Sequence, residues 1–302
     1  MTLQVPIPTS RDPGFDSGHR FDEGRRWAAS IELAFGLRSV GDFSATRLVR
    51  SRHFGPLRVQ KPFYPEGRHG CCHTYLLHPP GGLVSGDTLN ITAEAQPGAQ
   101  VLLTTPAAAK LYKADSHGVA WAQHTKLTVA EDAVLEWLPQ ETIAFDGSRG
   151  LQTTTIDLNG NARCLGWEVL ALGRPASRLP YVSGHLEQRF RLERDGQPLW
   201  LERQSLDPHH PRFQGYWGQG GSTVQATLWA VGLADPMAAV EAVRNALPAD
   251  ACWAVSQRRG VLLLRYLGNH RNQAWDLCQS AWETLRPLLT GKPASVPRIW
   301  MT

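Results

Sequence analysis

A two-residue alternation of apolar and other side chains, repeated over most of the chain, is the feature that most constrains the fold. It extends from Trp27 to about Leu206, in runs such as Ile31-Leu33-Phe35-Leu37, Leu89-Ile91-Ala93-Ala95 and Ala133-Leu135-Trp137. This period places alternate side chains on one face of a β-strand, so each run predicts a strand with one buried face. No helical stripe of useful length interrupts the pattern, and we therefore predict a mainly β body.

Turn signals separate the alternating runs. They include Pro97-Gly98, Asn159-Gly160 and Asp195-Gly196. The last predicts a tight hairpin, because apolar alternation continues on both sides of it and Asp-Gly tolerates the positive φ that such a turn needs.

Residues 224–289 have a different pattern. An alternating run from Val224 to Ala230 is followed by Asp235-Pro236, which suits a helix N-cap and first helical position. Two short strands joined near Gly260 follow, and then an apolar stripe at helical spacing formed by Trp275, Cys278, Trp282, Leu285 and Leu289. The order β-α-β-β-α predicts a small α+β portion with two helices, at 216–302, packed on a layered β body at 25–215.

Composition excludes several classes of protein. Residues 1–24 are rich in Pro, Ser, Gly, Asp and Arg without apolar periodicity, which predicts a disordered tail. Lysine and arginine exceed aspartate and glutamate by 31 − 27 = 4, too few to indicate nucleic-acid binding. The sequence contains no secretory leader pattern and no apolar run near the ~20 residues that span a bilayer.

The five cysteines form no C-x-x-C pair, so we expect free thiols and a cytoplasmic location.

The common catalytic motifs are missing from the sequence. It contains no G-x-x-x-x-G-K-[ST], no G-x-S-x-G and no H-E-x-x-H. We expect no nucleotide to bind to this chain.

Four residues in one short segment suit a soft metal ion. His69, Cys71, Cys72 and His73 offer imidazole and thiolate ligands that favour nickel, zinc or copper. Neighbouring residues on a strand point apart, so all four cannot bind one ion if the segment is extended. The alternative is that these residues begin a strand without binding metal.

Three carboxylates form the second candidate set. Asp87 follows a glycine-rich turn, Glu168 alternates with Leu170 and Leu172, and Glu202 lies on the face of Trp200. A carboxylate among apolar side chains is costly unless it is paired, hydrated or bound to a cation. These acids could line a hydrated passage for a divalent metal, but from spacing alone an arginine partner for Glu202 and a water-facing edge position for Glu168 are the favoured explanations.

At these residues the chain resembles the UreD (UreH) family of urease accessory proteins. Six ordered blocks carry the resemblance over roughly 27–302: GPLRVQKPFYP at 55–65, CHTYLLHPPGG at 72–82 with Gly86-Asp87, TPAAAKLY at 105–112, LEWLPQE at 135–141, GWE at 166–168 with LGRP at 172–175, and LTGKP with PRIW at 289–300.

The resemblance implies a β-rich, solenoid-like stack of strands with C-terminal helices, and a protein that is not an enzyme. It implies binding to UreF, recruitment of the GTPase UreG, contact with urease apoprotein in a 2:2 or larger assembly, and delivery of nickel through an internal tunnel. Asp87, Glu168 and Glu202 match acidic family positions associated with that tunnel. A further position, often serine in the family, is Ala109 here, which removes one oxygen donor.

Transient nickel transfer favours the carboxylates over the Cys/His cluster. Thiolate and imidazole ligands would hold nickel tightly, whereas hydrated carboxylates exchange it more readily. Two rival hypotheses remain: a metal-dependent hydrolase that uses the same carboxylates with His73 or His78, and a mechanical adaptor whose acids are structural.

Overall fold

The computed structural model describes residues 27–41, 43–174 and 177–301, so the predicted disordered tail at 1–24 lies outside the described residues. The strands in these ranges are β1 (Trp27–Val40), β2 (Phe43–Phe54), β3 (Arg58–Val59), β4 (Cys72–Leu77), β5 (Gly82–Leu83), β6 (Asp87–Ala95), β7 (Gln100–Thr104), β8 (Ala109–Leu111), β9 (Trp121–Val129), β10 (Val134–Leu138), β11 (Thr142–Ala144), β12 (Arg149–Leu158), β13 (Arg163–Leu172), β14 (His185–Arg194), β15 (Gln197–Leu206), β16 (Val224–Val231), β17 (Trp253–Arg258) and β18 (Val261–Gly268). The helices are α1 (Pro211–Gln214), α2 (Pro236–Ala246) and α3 (Arg271–Thr290), and a 3-10 turn spans Arg298–Met301.

The strands form two stacked sheets. The first sheet has the order β15-β14-β12-β9-β6-β1-β2, and the main path of the second is β17-β18-β16-β13-β10-β7-β4-β3. Short strands β5, β8 and β11 extend the second sheet beside β13.

Most neighbouring strands in the body are parallel, as in a solenoid. In the first sheet β6, β9, β12 and β14 pair in parallel, and in the second β4, β7, β10 and β13 do so. The chain therefore alternates between the sheets, and each coil stacks its strands on those of the previous coil. This confirms the predicted layered, helical β body.

The two sheets differ in how their faces are buried. The inner faces of both sheets enclose one hydrophobic core, and the outer face of the second sheet packs against α2 and α3 in another. Strands of the second sheet are consequently buried on both faces, as Val134–Leu138 is along its whole length. The first sheet keeps the strict alternation because its outer face meets solvent, as β6 shows.

The C-terminal portion has the predicted β-α-β-β-α order. Asp235 caps α2 by accepting hydrogen bonds from the backbone N–H groups of Met237 and Ala238 at 3.0 Å. The five stripe residues of α3 are buried against the second sheet. Strand β16 pairs with β13 of the body, so the second sheet continues across residue 216. The division into 25–215 and 216–302 stays a prediction.

The predicted hairpin at Asp195-Gly196 is confirmed. Asp195 and Gly196 have φ of 50° and 76°, and they connect the antiparallel strands β14 and β15.

In the described ranges, none of the helices combines the length and apolar character needed to cross a bilayer.

Candidate functional site

Glu168 and Glu202 line one cavity between the two sheets. Glu168 projects from β13 on the second sheet, and Glu202 from β15 at the edge of the first. Its lining also includes Gln188, Gln204 and Gln225. The fold thus brings together two acids that are 34 residues apart in the sequence.

Glu168 lies in the interior. The edge position considered for it is wrong, because β13 lies between β10 and β16. Its Oε1 accepts a hydrogen bond from the Thr154 hydroxyl on the facing sheet. Burial, with a smaller effect of the Glu202 charge, raises the pKa of Glu168 from 4.5 to about 7. Its carboxyl is therefore partly protonated near neutral pH, and an approaching cation would favour the ionised form.

Glu202 is paired with an arginine, as one of the simple explanations anticipated. Arg265 on β18 binds both carboxylate oxygens, with Nη1 2.9 Å from Oε1. Burial opposes ionisation of Glu202, but the hydrogen bonds and charge of Arg265 outweigh it and lower the pKa of this carboxyl. Glu202 is consequently ionised at neutral pH.

A row of amide side chains extends from Glu202 between the two sheets, with Gln225 contributed by β16 of the second sheet. Gln204 donates to Glu202 Oε1 at 2.7 Å, and Gln225 donates to both Gln204 (2.6 Å) and Gln188 (2.8 Å). Gln188 in turn donates to Gln152 at 2.9 Å. Each amide offers exchangeable oxygen and N–H groups, so the row makes this part of the interior polar.

The amide row was missed in the sequence, although it leaves a signal there. Gln152 and Gln188 lie on neighbouring strands, at positions where the alternation requires an apolar residue. A polar residue repeated at the inward position of successive strands indicates a shared polar interior.

A second, larger cavity adjoins the first. It shares Glu168 and Gln188 with the smaller one. His78 and Ala109 also line it. The buried Nε2 of His78 has no hydrogen-bond partner among the described residues, and burial lowers the pKa of this imidazole. His78 is therefore neutral and able to ligate a metal.

Asp87 lies near the larger cavity but outside its described lining. It is the first residue of β6, on the same face as Leu89, which does line the cavity. Its carboxylate accepts a hydrogen bond from the backbone N–H of Val84 at 2.9 Å, while burial raises its pKa. The structure therefore gives Asp87 a local role in the turn before β6.

The Cys/His cluster divides as the alternation predicts. Cys71 and His73 lie with Glu66 in a group whose ligand atoms are within 4.8 Å of one another. Cys72 points away, towards the Tyr64 hydroxyl, and His69 packs on the ring of Phe43. The four residues therefore do not form one site.

Arg286 enters the group formed by Glu66, Cys71 and His73. Its Nη2 lies 2.5 Å from Glu66, and its Nε lies 3.0 Å from Glu136. Burial, reinforced by the Glu136 charge, raises the pKa of the Cys71 thiol well above its usual value. A resident guanidinium and a protonated thiol both oppose metal binding, so the geometry favours a closed ionic network over a metal site.

The two adjoining cavities suit a weakly held divalent cation. Carboxylate and amide oxygens are hard, exchangeable ligands, and neither lining includes a cysteine. Across the described residues, Glu168, Glu202 and the glutamines offer oxygens along a path instead of a closed set of ligands around one point.

Comparison with known proteins assigns a family to this architecture. The family model described as "UreD urease accessory protein" matches residues 28–301. The chain is 70% identical over 287 residues to a urease accessory protein UreD of Marinobacter nauticus, covering 95% of this chain and 96% of that protein. It is 67% identical to the UreD of Chromohalobacter salexigens (96% and 94% covered) and 61% identical to the UreD 1 of Psychrobacter cryohalolentis (100% of each).

Proposed function

The chain belongs to the UreD family of urease accessory proteins, and from this premise we propose that it is a non-catalytic scaffold that passes nickel to urease during maturation. The proposed partners are UreF, the GTPase UreG and urease apoprotein, in a 2:2 or larger assembly joined through UreF. Nickel is the cargo of this protein and not a resident cofactor. The proposed location is the cytoplasm.

The position of Glu168 in the linings of both cavities carries the proposal. Because Glu168 and Gln188 belong to both linings, the proposed route takes an ion from the larger cavity past these two side chains to Glu202. His78 offers a neutral nitrogen in the larger cavity, Glu168 an oxygen at the junction, and Glu202 a carboxylate at the far end. Asp87 is a further proposed contact for nickel. It lies next to the larger cavity, on the same face of β6 as Leu89.

The chemistry of these groups favours transfer over storage. The pKa of Glu168, at about 7, lets the carboxyl lose a proton when a cation arrives and regain it when the cation leaves. Ala109 lines the larger cavity without an oxygen donor, which leaves fewer ligands to retain an ion there.

The experiment compares the wild-type chain with E168Q in a reconstituted mixture of UreF, UreG, urease apoprotein, nickel and GTP. We expect E168Q to co-purify with the partners while urease activation falls several-fold, because glutamine keeps the size but not the charge. Full activation by E168Q would favour the mechanical adaptor. Turnover of a substrate by the isolated chain, with a stoichiometric and stably bound metal, would favour the hydrolase.

A further inference from the structure

The carboxylate of Glu202 has its acceptor positions filled. Oε1 accepts from Arg265 Nη1 at 2.9 Å and from Gln204 Nε2 at 2.7 Å. Oε2 accepts from Arg265 Nη2 and from Trp200 Nε1, the latter at 3.2 Å. A carboxylate has about four lone-pair positions, so a metal ion can bind Glu202 only if a donor leaves.

Arg265 is the donor best placed to leave. Its side chain is 40% exposed, whereas Gln204 is fixed by Gln225 at 2.6 Å. Among the described donors to Glu202, which are Arg265, Gln204 and Trp200, only Arg265 is charged. An incoming cation therefore repels Arg265 but not the other two. Its other contacts are weak: the Trp200 ring centre at 5.6 Å and the Thr227 hydroxyl at 3.5 Å.

Glu168 differs from Glu202 in this respect. Within the described residues, only its Oε1 receives a hydrogen bond, from the neutral Thr154 hydroxyl. Glu168 therefore has acceptor positions that are free to bind an ion in this arrangement, whereas Glu202 does not.

We propose that Arg265 is a gate residue of the passage: its guanidinium stands where the divalent cation would bind Glu202, and the ion leaves through this end only when Arg265 swings towards solvent. This inference rests on the proposed function, because it assumes that the cation travels between Glu168 and Glu202. It adds a residue that controls the passage by competing with the cargo for one carboxylate.

The test measures Ni²⁺ binding to the purified full-length chain by equilibrium dialysis. We expect R265Q to bind Ni²⁺ roughly tenfold more tightly than the wild type, because a charged hydrogen-bonded competitor is removed from Glu202. Adding E202Q to R265Q should abolish the gain. The matched control is R244Q, which removes the same charge from an exposed pair with Glu241 and should bind as the wild type does.

Thermal unfolding establishes that each variant is folded. If R265Q does not fold, R265K provides the test: lysine keeps the charge but cannot bridge both oxygens, so we expect a smaller gain of roughly threefold. Unchanged or weaker Ni²⁺ binding in the folded variant would overturn the gate.

The same titrations separate the gate from the passage. Wild-type binding that weakens in E168Q but does not change in R265Q would refute the gate and leave the passage intact. Binding that responds to none of E168Q, E202Q and R265Q would refute both.

Discussion

Arg286 on α3 lies 3.0 Å from Glu136 on β10, 150 residues earlier in the chain, and each side chain is only 1% exposed. Trp282 donates to the second oxygen of Glu136 at 2.6 Å, and Glu66 completes the network on the other side of Arg286. This ionic network joins the C-terminal helix to the second sheet and to the loop before β4.

Replacing Arg286 should destabilise the fold strongly. R286M removes the cation that faces the buried carboxylate of Glu136 and the partly buried one of Glu66, and we expect the free energy of unfolding to fall by about 3–5 kcal/mol in urea titrations. The double variant E136L/R286M should recover part of this loss. R244Q, at an exposed pair, should change stability by less than about 1 kcal/mol. An R286M variant as stable as R244Q would show that this ionic network does not stabilise the fold.

Glu168 should make stability depend on pH. Its pKa is raised from 4.5 in the unfolded chain to about 7 in the folded one, so the folded state binds more protons between these values. Stability from this group is therefore lost as pH rises from 4.5 to 7, and it changes little outside that window. E168Q removes this dependence. We expect its stability relative to the wild type to be about 3 kcal/mol higher at pH 8 than at pH 4.5, by urea unfolding, because each unit of the pKa shift corresponds to about 1.4 kcal/mol.

Glu168 would not affect the pH dependence of stability if its pKa were the same in the folded and unfolded states. Parallel stability curves for E168Q and the wild type between pH 4.5 and 8 would mean that the carboxyl ionises normally in the folded protein.

The amide row should matter for both stability and transfer. Q188L leaves the amide groups of Gln152 and Gln225 without this partner, and we expect a loss of about 1–3 kcal/mol. The substitution also places an apolar side chain at the junction of the two cavities, so urease activation should fall. Q197L, at the exposed first residue of β15, is the control and should preserve both stability and urease activation. Normal activation by Q188L would show that the junction does not need the amide.

Two substitutions at Asp87 separate its local role from a role in transfer. D87N keeps an oxygen that can accept from the Val84 N–H, whereas D87A removes it. We expect D87A to lower stability by about 1 kcal/mol and D87N to lower it less. If nickel contacts Asp87, both variants should reduce urease activation. If D87N activates fully, Asp87 serves only the turn.

Much of the fold could be predicted from the sequence, because the alternation of side chains in strands and the capping residues of helices are local signals. The inward face of Glu168, the Asp195-Gly196 hairpin and the Asp235 cap follow from neighbouring residues. The parallel pairing of β6, β9 and β12 does not, because these strands are separated by whole coils and their alternation would suit antiparallel pairing equally well.

The candidate site was predicted less completely. Inward alternation identified the two acids, but the partner of Glu202 could not be chosen, because Arg265 is 63 residues away among many arginines. The Cys/His segment was conspicuous for its ligand types, yet Arg286, more than 200 residues later, gives it an ionic role instead. Long-range partners of this kind depend on the tertiary fold and have no local pattern.

The nickel content of urease itself tests whether nickel passes Glu168 on its way to the enzyme. Urease activated in the presence of the E168Q chain would be separated and its nickel measured by atomic absorption. E193Q is the matched control, because Glu193 on β14 pairs with Arg191 and lies outside both cavity linings. We expect wild-type nickel loading of urease with E193Q and several-fold lower loading with E168Q, although both variants assemble with the partners. Equal nickel loading by the two variants would contradict a passage through Glu168.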